Sequence, residues 1–144
     1  MGTVQDIINR KGGAVHSIGA TGLVLEAARQ MNDLGVGGLV VVDGELAVGM
    51  FTERDILRRV VAAQLDPATT SVRDVMTTPI AVCRPGTSIA ECRTVMTEKR
   101  IRHLPIVDGS QLRGIVTIGD ILAYEIGEHE TTIEYLNSYI FGQR

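Results

Sequence analysis

Tryptophan is absent from this chain of 144 residues, and aromatic residues together make up only 3% of it. The hydrophobic content of 44% is ordinary for a globular protein, so the core has to be built from valine, isoleucine, leucine, alanine and methionine. An excess of positive charge is also missing, since the net charge is −3 and the pI is about 5.6. Without a basic face, the chain is not expected to bind a phosphate backbone, which excludes nucleic acid as a general partner.

Long apolar runs and reactive clusters are missing as well. No stretch approaches the length of a membrane span, and the N-terminus lacks the pattern of a signal peptide. Cys83 and Cys92 fit neither a metal-ligand spacing nor a disulfide framework, and we interpret them either as small core residues or as a redox pair. The sequence contains no nucleophile–base–orienter set, phosphate-binding Gly-Lys-Ser/Thr loop or metal-ligand cluster. We therefore expect a cytoplasmic protein that is not an enzyme, requires no metal or cofactor and has no membrane segment.

What the chain does contain is an internal repeat. Residues 49–57 and 114–122 share the pattern Gly, two apolar residues, Thr, two variable residues and Asp-Ile-Leu, at an offset of 65 residues. Aligning 18–57 with 83–122 gives 11 identities, where unrelated segments of this composition would share roughly two or three. In both copies an apolar run ends in Thr and an Asp follows three residues later. This order is typical of a strand that leads into a helix.

Each copy is predicted to contain the elements β-α-β-β-α. A short strand, at 15–18 or 80–83, leads into an amphipathic helix and then into a buried strand that ends in Asp-Gly, a strong hairpin signal. The repeated motif supplies the returning strand and the start of the last helix, at Glu53 or Ile118. The sequence thus predicts an α/β (α+β) fold of two repeats related by pseudo-two-fold symmetry.

A helical turn precedes each copy, at 3–8 and 71–76. The first copy has three extra residues within 9–13, which indicate a loop. The predicted units are repeat one at 1–65, repeat two at 66–127 and an amphipathic C-terminal helix at 128–144. This last helix has Ile133, Leu136 and Ile140 on one face and three of the five aromatic residues nearby, which indicates either a docking surface or a cap on the core.

The acidic residue of the repeated motif allows two interpretations. Thr117 and Asp120 could form only a capping box at the start of a helix, where the macrodipole favours a carboxylate. Alternatively, the ionised carboxylate could accept hydrogen bonds from ribose hydroxyl groups, as acidic residues do in dinucleotide folds. The two roles are compatible, because helix N-terminal N–H groups and the threonine hydroxyl can also face phosphate oxygens. Nearby, Arg102 and His103 precede a buried strand, where a guanidinium could bind phosphate through two hydrogen bonds.

Two such copies at a fixed spacing resemble a tandem pair of cystathionine-β-synthase (CBS) domains, called a Bateman module. Three segments carry the resemblance most strongly: Arg-His-Leu-Pro-Ile-Val at 102–107, the motif at 114–120, and Thr-Glu-Arg-Asp-Ile-Leu at 52–57. The likeness covers about 3–124. The chain looks like the small stand-alone CBS-pair proteins of prokaryotes. The resemblance implies a regulatory or sensory module, without catalysis, that binds AMP, ADP, ATP, NAD or S-adenosylmethionine between the repeats. It also implies a homodimer and a regulated protein partner.

The resemblance further implies which residues contact the ligand. The motif aspartate contacts ribose, the Arg-His pair approaches phosphate, and the strands around Leu104-Pro105 line the adenine pocket. The first repeat departs from this pattern, because it has Gly37-Gly38 in place of the Arg-His pair, which leaves Arg54 as the cation that could compensate. The implied ligand-binding positions are Ile80, Val82, Arg102, His103, Leu104, Pro105, Thr117 and Asp120, with Thr52, Arg54 and Asp55 in the first repeat.

A ligand-free interaction scaffold with a purely structural CBS pair is the alternative function. The intact motif at Asp120, with cations beside it, favours the ligand-binding module. The aromatic segment at 128–144 favours the scaffold.

Overall fold

The computed structural model describes residues 2–127, so the predicted helix at 128–144 lies outside the described residues. Repeat one contains α1 (Val4–Lys11), β1 (Ser17–Gly19), α2 (Val24–Leu34), β2 (Gly38–Asp43), β3 (Leu46–Thr52) and α3 (Glu53–Asp55), which continues as a π-helical segment, Ile56–Val61. Repeat two contains α4 (Val72–Val75), α5 (Ile89–Lys99), β4 (His103–Asp108), β5 (Gln111–Thr117) and α6 (Ile118–Gly127). The mixed α/β fold predicted from the sequence is confirmed. No helix within residues 2–127 is long and apolar enough to cross a membrane.

Both predicted Asp-Gly hairpins form. β2 pairs with β3 and β4 pairs with β5, each antiparallel. Gly44 and Gly109 adopt the same left-handed conformation, with φ of 64°, which a residue with a Cβ rarely adopts. The register shifts by one residue at the same place in both hairpins, after Val41 and after Ile106. The two copies therefore repeat each other down to the irregularities of their sheets.

The first strand of the repeat differs between the copies. β1 lies parallel to β2, with the Val40 amide donating to the His16 carbonyl at 3.1 Å. The strand predicted at 80–83 is wrong in extent, because only Cys83 pairs, with Ile106 of β4. The residue at the position of Val40 is Pro105, which has no amide hydrogen to donate. One rung of the ladder is therefore lost, and the segment 80–82 runs beside β4 without joining the sheet.

Two other boundaries differ from the sequence prediction. α1 continues to Lys11 and ends at Gly12, whose amide donates to the Ile8 carbonyl at 2.7 Å, so the predicted loop at 9–13 is mostly helix. The first strand begins at Ser17, two residues later than predicted. The extra residues of the first copy therefore extend a helix and give Lys11 a defined position.

The two hydrophobic cores exchange their first helices. Val4 and Ile7 of α1 are buried in the core that contains β4, β5 and α6. Val72 and Val75 of α4 are buried in the core that contains β2, β3 and the π-helical segment. Each core is thus completed by a helix from the other half of the chain, while the unit boundaries at 65 and 127 remain predictions.

The segments that follow the exchanged helices cross over the repeated motif. After α4, Thr77 exchanges backbone hydrogen bonds with Met50 of β3, at 2.8 and 3.0 Å. A Cβ at Gly49 would lie 2.9 Å from the Thr77 carbonyl oxygen, so the motif needs glycine there. After α1, Gly13 lies against β5 in the same way, and a Cβ on it would come within 2.9 Å of the Arg113 carbonyl oxygen. Each motif aspartate is therefore approached by a segment from the other repeat.

Candidate ligand-binding site

Asp120 lies in the first turn of α6 and forms the capping interaction that the sequence suggests. The Thr117 amide donates to Oδ2 of Asp120 at 2.9 Å, and the Asp120 amide donates to the Thr117 hydroxyl at 3.1 Å. Lys11 Nζ donates to the same Oδ2 atom at 2.6 Å. Within residues 2–127, Oδ1 of Asp120 accepts no hydrogen bond, and 21% of the side chain is exposed. The carboxylate therefore caps the helix through Oδ2, while Oδ1 accepts nothing from residues 2–127 and could accept a hydrogen bond from a ligand.

Asp55, the counterpart in the first repeat, has both oxygens engaged. Oδ2 accepts hydrogen bonds from the Thr52 amide at 3.0 Å and the Thr52 hydroxyl at 3.3 Å. Oδ1 accepts one from the Thr77 hydroxyl at 2.9 Å and lies 3.9 Å from Arg59 Nε. Only 7% of the side chain is exposed. Asp55 therefore resembles a satisfied buried carboxylate more than an open binding group.

The difference between the two aspartates comes from the crossing segments. Thr77 brings a neutral hydroxyl to Asp55, whereas Lys11 brings an ammonium group to Asp120. Neither partner is predicted from the sequence. The signal for Lys11 was the three-residue excess of the first copy, but the contact itself joins residues 109 positions apart and depends on the helix exchange.

His103 begins β4 and packs against the first repeat. The Cε1 atom of His103 lies 3.5 Å from the position that a Cβ on Gly38 would occupy, and 3.9 Å from the corresponding position on Gly37. Since the repeat offset is 65, Gly37-Gly38 is the counterpart of Arg102-His103. Gly37 and Gly38 of the first repeat therefore lie beside His103 of the second, between the two repeats.

The charge state of His103 follows from this central position. Burial is the main cause that lowers the pKa of His103, and the neighbouring charge of Arg102 lowers it further. Asp120 and Glu53 act in the opposite direction, and Lys11 adds to the lowering. His103 is therefore neutral near pH 7 and can donate one hydrogen bond from its ring.

The structure brings the remaining second-repeat positions to the two sides of β4. Leu104 has its side chain in the hydrophobic core, and Pro105 is also buried. Val82 is exposed and Ile80 is half-buried, on the segment that Pro105 keeps out of the sheet. The backbone of 80–82 could therefore form hydrogen bonds with the edge of a planar ligand. The Leu104 side chain lies in the core, so this residue could contact a ligand only through its backbone.

Arg102 and Arg54 line a cavity of about 270 Å³ to which Asp120 does not contribute. Arg54 Nη1 donates to the carbonyl of Arg100 at 2.9 Å, at the C-terminal end of α5. Arg54 is thus directed at the second repeat, away from Asp55. Ile118 lines this cavity and lies two residues before Asp120, about 200° around the helix axis at 3.6 residues per turn. Arg102 and Asp120 therefore lie on different sides of α6.

Cys83 and Cys92 are both free and buried in the core of the second repeat. A hydrogen bond between the two thiols, together with burial, raises the pKa of Cys83. Among residues 2–127 no group of three or more histidine, cysteine, aspartate or glutamate side chains could hold a metal ion.

Fold and site together define a two-repeat α/β module with one open and one closed copy of the same aspartate motif. The CBS-domain family profile matches residues 4–62 and 72–127, so the chain belongs to the CBS domain family and carries a tandem CBS pair. A putative signal-transduction protein with CBS domains from Burkholderia ambifaria is 36% identical, with a TM-score of 0.85 over 88% of this chain and 96% of that one.

Two further solved structures differ in what they contain. Hypoxic Response Protein I, a protein of Mycobacterium tuberculosis, is 33% identical with a TM-score of 0.73, covers 83% of this chain and 96% of that one, and was solved with two coordinated zinc ions. CBSX2 in complex with AMP is 24% identical with a TM-score of 0.72, over 88% of this chain and 98% of that one. At that identity the likeness to CBSX2 shows the fold alone.

Proposed function

We propose that this CBS pair is a regulatory module that binds an adenine nucleotide beside Asp120 and reports its occupancy to a protein partner. The observation that carries the proposal is Oδ1 of Asp120, which accepts no hydrogen bond from residues 2–127, in a motif whose other copy has both oxygens engaged. A ribose offers two adjacent hydroxyl donors, and an ionised carboxylate oxygen is the acceptor that they require. A protein with the same fold has been solved in complex with AMP, which makes AMP the first nucleotide to test.

The surroundings of Asp120 fit the other parts of a nucleotide. Lys11 supplies a cation, and the Thr117 hydroxyl and the amides at the start of α6 supply donors that can face a phosphate. His103 adds one neutral donor. The backbone of 80–82, with the exposed side chain of Val82, offers an edge and an apolar surface for the adenine ring. We propose that the first-repeat cleft, with Thr52, Arg54 and Asp55, binds nucleotide more weakly.

A screen by thermal denaturation tests the ligand class. AMP, ADP, ATP, NAD and S-adenosylmethionine are each added in excess, because a ligand that binds only the folded protein raises its melting temperature Tm. We expect at least one of the five to stabilise the wild type and not Asp120→Asn. The matched control is Asp108→Asn, which removes the same charge from an exposed ion pair with Arg113 and should keep the full shift. No shift with any of the five would favour the ligand-free scaffold.

We also propose that the module acts as a homodimer through the outer faces of its last helices. Leu57 and Leu122 occupy the same position of the repeat, and their exposed fractions are 62% and 57%. Full burial of such a side chain contributes about 1.5–3 kcal/mol. Val61 extends the exposed apolar surface beyond Leu57 on the first of these helices.

Light scattering on the full chain tests the dimer. We expect twice the chain mass for the wild type and the single chain mass for the double variant Leu57→Glu, Leu122→Glu. The control Leu46→Glu adds the same charge at an equally exposed leucine beside the hairpin turn and should leave the dimer intact. A monomeric wild type at micromolar concentration would refute the proposal.

A further inference from the structure

Three arginines converge on one small cavity at the C-terminal end of α5. Arg100 and Arg102 flank the connection from α5 to β4, and Arg54 reaches the cavity from the first repeat. The cavity volume of about 270 Å³ lies just below the range of about 300–1,000 Å³ that is typical of pockets for drug-sized ligands, which suits a small ligand. The remaining wall consists of Met96, Thr97, Ile101 and Ile118.

Among residues 2–127, no carboxylate lines this cavity. Within residues 2–127, none of the three guanidinium groups lies within ion-pair distance of an acidic side chain. Elsewhere in the described chain, Arg59, Arg73, Arg93 and Arg113 have carboxylate partners, whereas Arg10, Arg29, Arg58 and Arg84 have none but do not line this cavity. The three converging arginines therefore carry uncompensated positive charge, which a bound anion would neutralise.

The equivalent cavity of the first repeat has the opposite character. Its lining includes Gly35 and Gly37, the counterparts of Arg100 and Arg102, together with Glu53, and no cation from the described part of the chain lines it. The charge is thus a property of one copy and does not follow from the fold. A general need of the fold at this helix end would have placed cations in both copies.

Arg100 occupies its position at a conformational cost. Its φ of 56° lies in the left-handed region, where Gly35, its counterpart, has a φ of 68°. A side chain with a Cβ is disfavoured in this conformation, and glycine is the usual residue at such a helix end. Strain of this kind is frequent at functional sites. The negative end of the helix dipole favours a cation near the end of α5, but it does not explain why the residue in the left-handed conformation is an arginine.

We propose that this cavity is a second ligand site that binds a diphosphate group. A guanidinium offers paired donors in a fixed planar arrangement that matches phosphate oxygens. Two linked phosphates present enough oxygens for all three arginines, and a single carboxylate does not. The site goes beyond the nucleotide site proposed above, because Ile118 and Asp120 lie on different sides of α6.

Calorimetric titration of the full chain with inorganic pyrophosphate tests the proposal. We expect saturable binding to the wild type and a loss of about 10- to 150-fold in affinity in Arg102→Gln. Arg100→Gly should lose affinity similarly while its Tm rises by roughly 4 °C, because the strain is relieved. This variant keeps the Arg54 hydrogen bond, which is accepted by the backbone of residue 100.

Two further variants separate this site from its alternatives. Arg113→Gln removes one positive charge from an exposed ion pair and should bind pyrophosphate as the wild type does. Lys11→Met should also leave pyrophosphate binding unchanged, because Lys11 belongs to the Asp120 site. Absence of saturable binding, or an equal loss in Arg113→Gln, would overturn the proposal. Loss of binding in Lys11→Met with retention in Arg102→Gln would assign the phosphate to the Asp120 cleft instead. Failure of the nucleotide screen leaves this test unaffected.

Discussion

Removing the motif carboxylate should have opposite consequences in the two repeats. Asp120→Ala deletes a partly exposed acceptor with one unengaged oxygen, whereas Asp55→Ala deletes a buried acceptor of three hydrogen bonds. We therefore expect Asp120→Ala to lose nucleotide binding with a small loss of stability. Asp55→Ala should lose stability and keep most of the binding.

The magnitudes follow from the hydrogen bonds. A hydrogen bond to a charged group contributes about 1.5–3 kcal/mol, so the loss of a ribose contact at Asp120 should weaken AMP binding by roughly 10- to 150-fold. In Asp55→Ala, the donors of Thr52 and Thr77 lose their acceptor in a largely buried site, and an unsatisfied buried group costs about 1–3 kcal/mol. At roughly 4 °C per kcal/mol for a chain of this size, Asp55→Ala should lower the Tm by about 10 °C.

The two effects are measured on the same samples. Thermal denaturation gives the stability of each variant, and calorimetric titration with AMP, well below the lower Tm, gives the affinity. Asp108→Ala is the matched control, because it removes an exposed carboxylate that pairs with Arg113. An equal loss of affinity in Asp55→Ala and Asp120→Ala would refute the argument from hydrogen-bond occupancy. Unchanged binding in Asp120→Ala would leave that residue a helix cap and no more.

Three further predictions concern the surroundings of Asp120 and the need for metal. Lys11→Met should lower the preference for AMP over adenosine by about 10-fold in calorimetry, because only AMP has a phosphate for the ammonium group, and an unchanged ratio would contradict this role. Burial and Arg102 lower the pKa of His103, so the unfolded chain binds more protons than the folded one below pH 6.5. As the pH is lowered below 6.5, the free energy of unfolding should therefore decrease, by at most about 1.4 kcal/mol per pH unit from this group. The decrease should be smaller in His103→Gln than in the control His16→Gln. An equal pH dependence in the two variants would contradict this role of His103. A chelator should leave the folded circular dichroism spectrum unchanged, and loss of that spectrum would reveal a structural metal.

The repeated motif was sufficient to predict the architecture, because its signals are local. The two Asp-Gly turns need only a left-handed glycine, and the Thr-x-x-Asp spacing caps a helix whatever surrounds it. Hairpins and helix starts of this kind are set by residues within a few positions of one another. The same locality made the capping interpretation of Asp120 readable from the sequence.

The error at 80–83 could have been avoided from the sequence. Apolar pattern predicts burial, but a parallel strand also needs a donor on its neighbour, and Pro105 was visible at the position of Val40. The contacts of Lys11 and Thr77 were not readable in this way. They depend on the exchange of α1 and α4 between the cores, which joins residues far apart in the chain.

The aspartate caps a helix in both copies of the motif, so its presence does not reveal how the two copies differ. The capping bond to the threonine amide, 3.0 Å in one copy and 2.9 Å in the other, is needed wherever β3 or β5 runs into its helix. Selection for the cap alone would therefore preserve both aspartates. What differs is the group that the other repeat contributes. The Thr77 hydroxyl donates to Oδ1 of Asp55, whereas the Lys11 ammonium donates to Oδ2 of Asp120, and no donor within residues 2–127 reaches Oδ1 of Asp120. If the proposed function is correct, the crossing segment and not the shared motif determines how well each cleft binds a nucleotide.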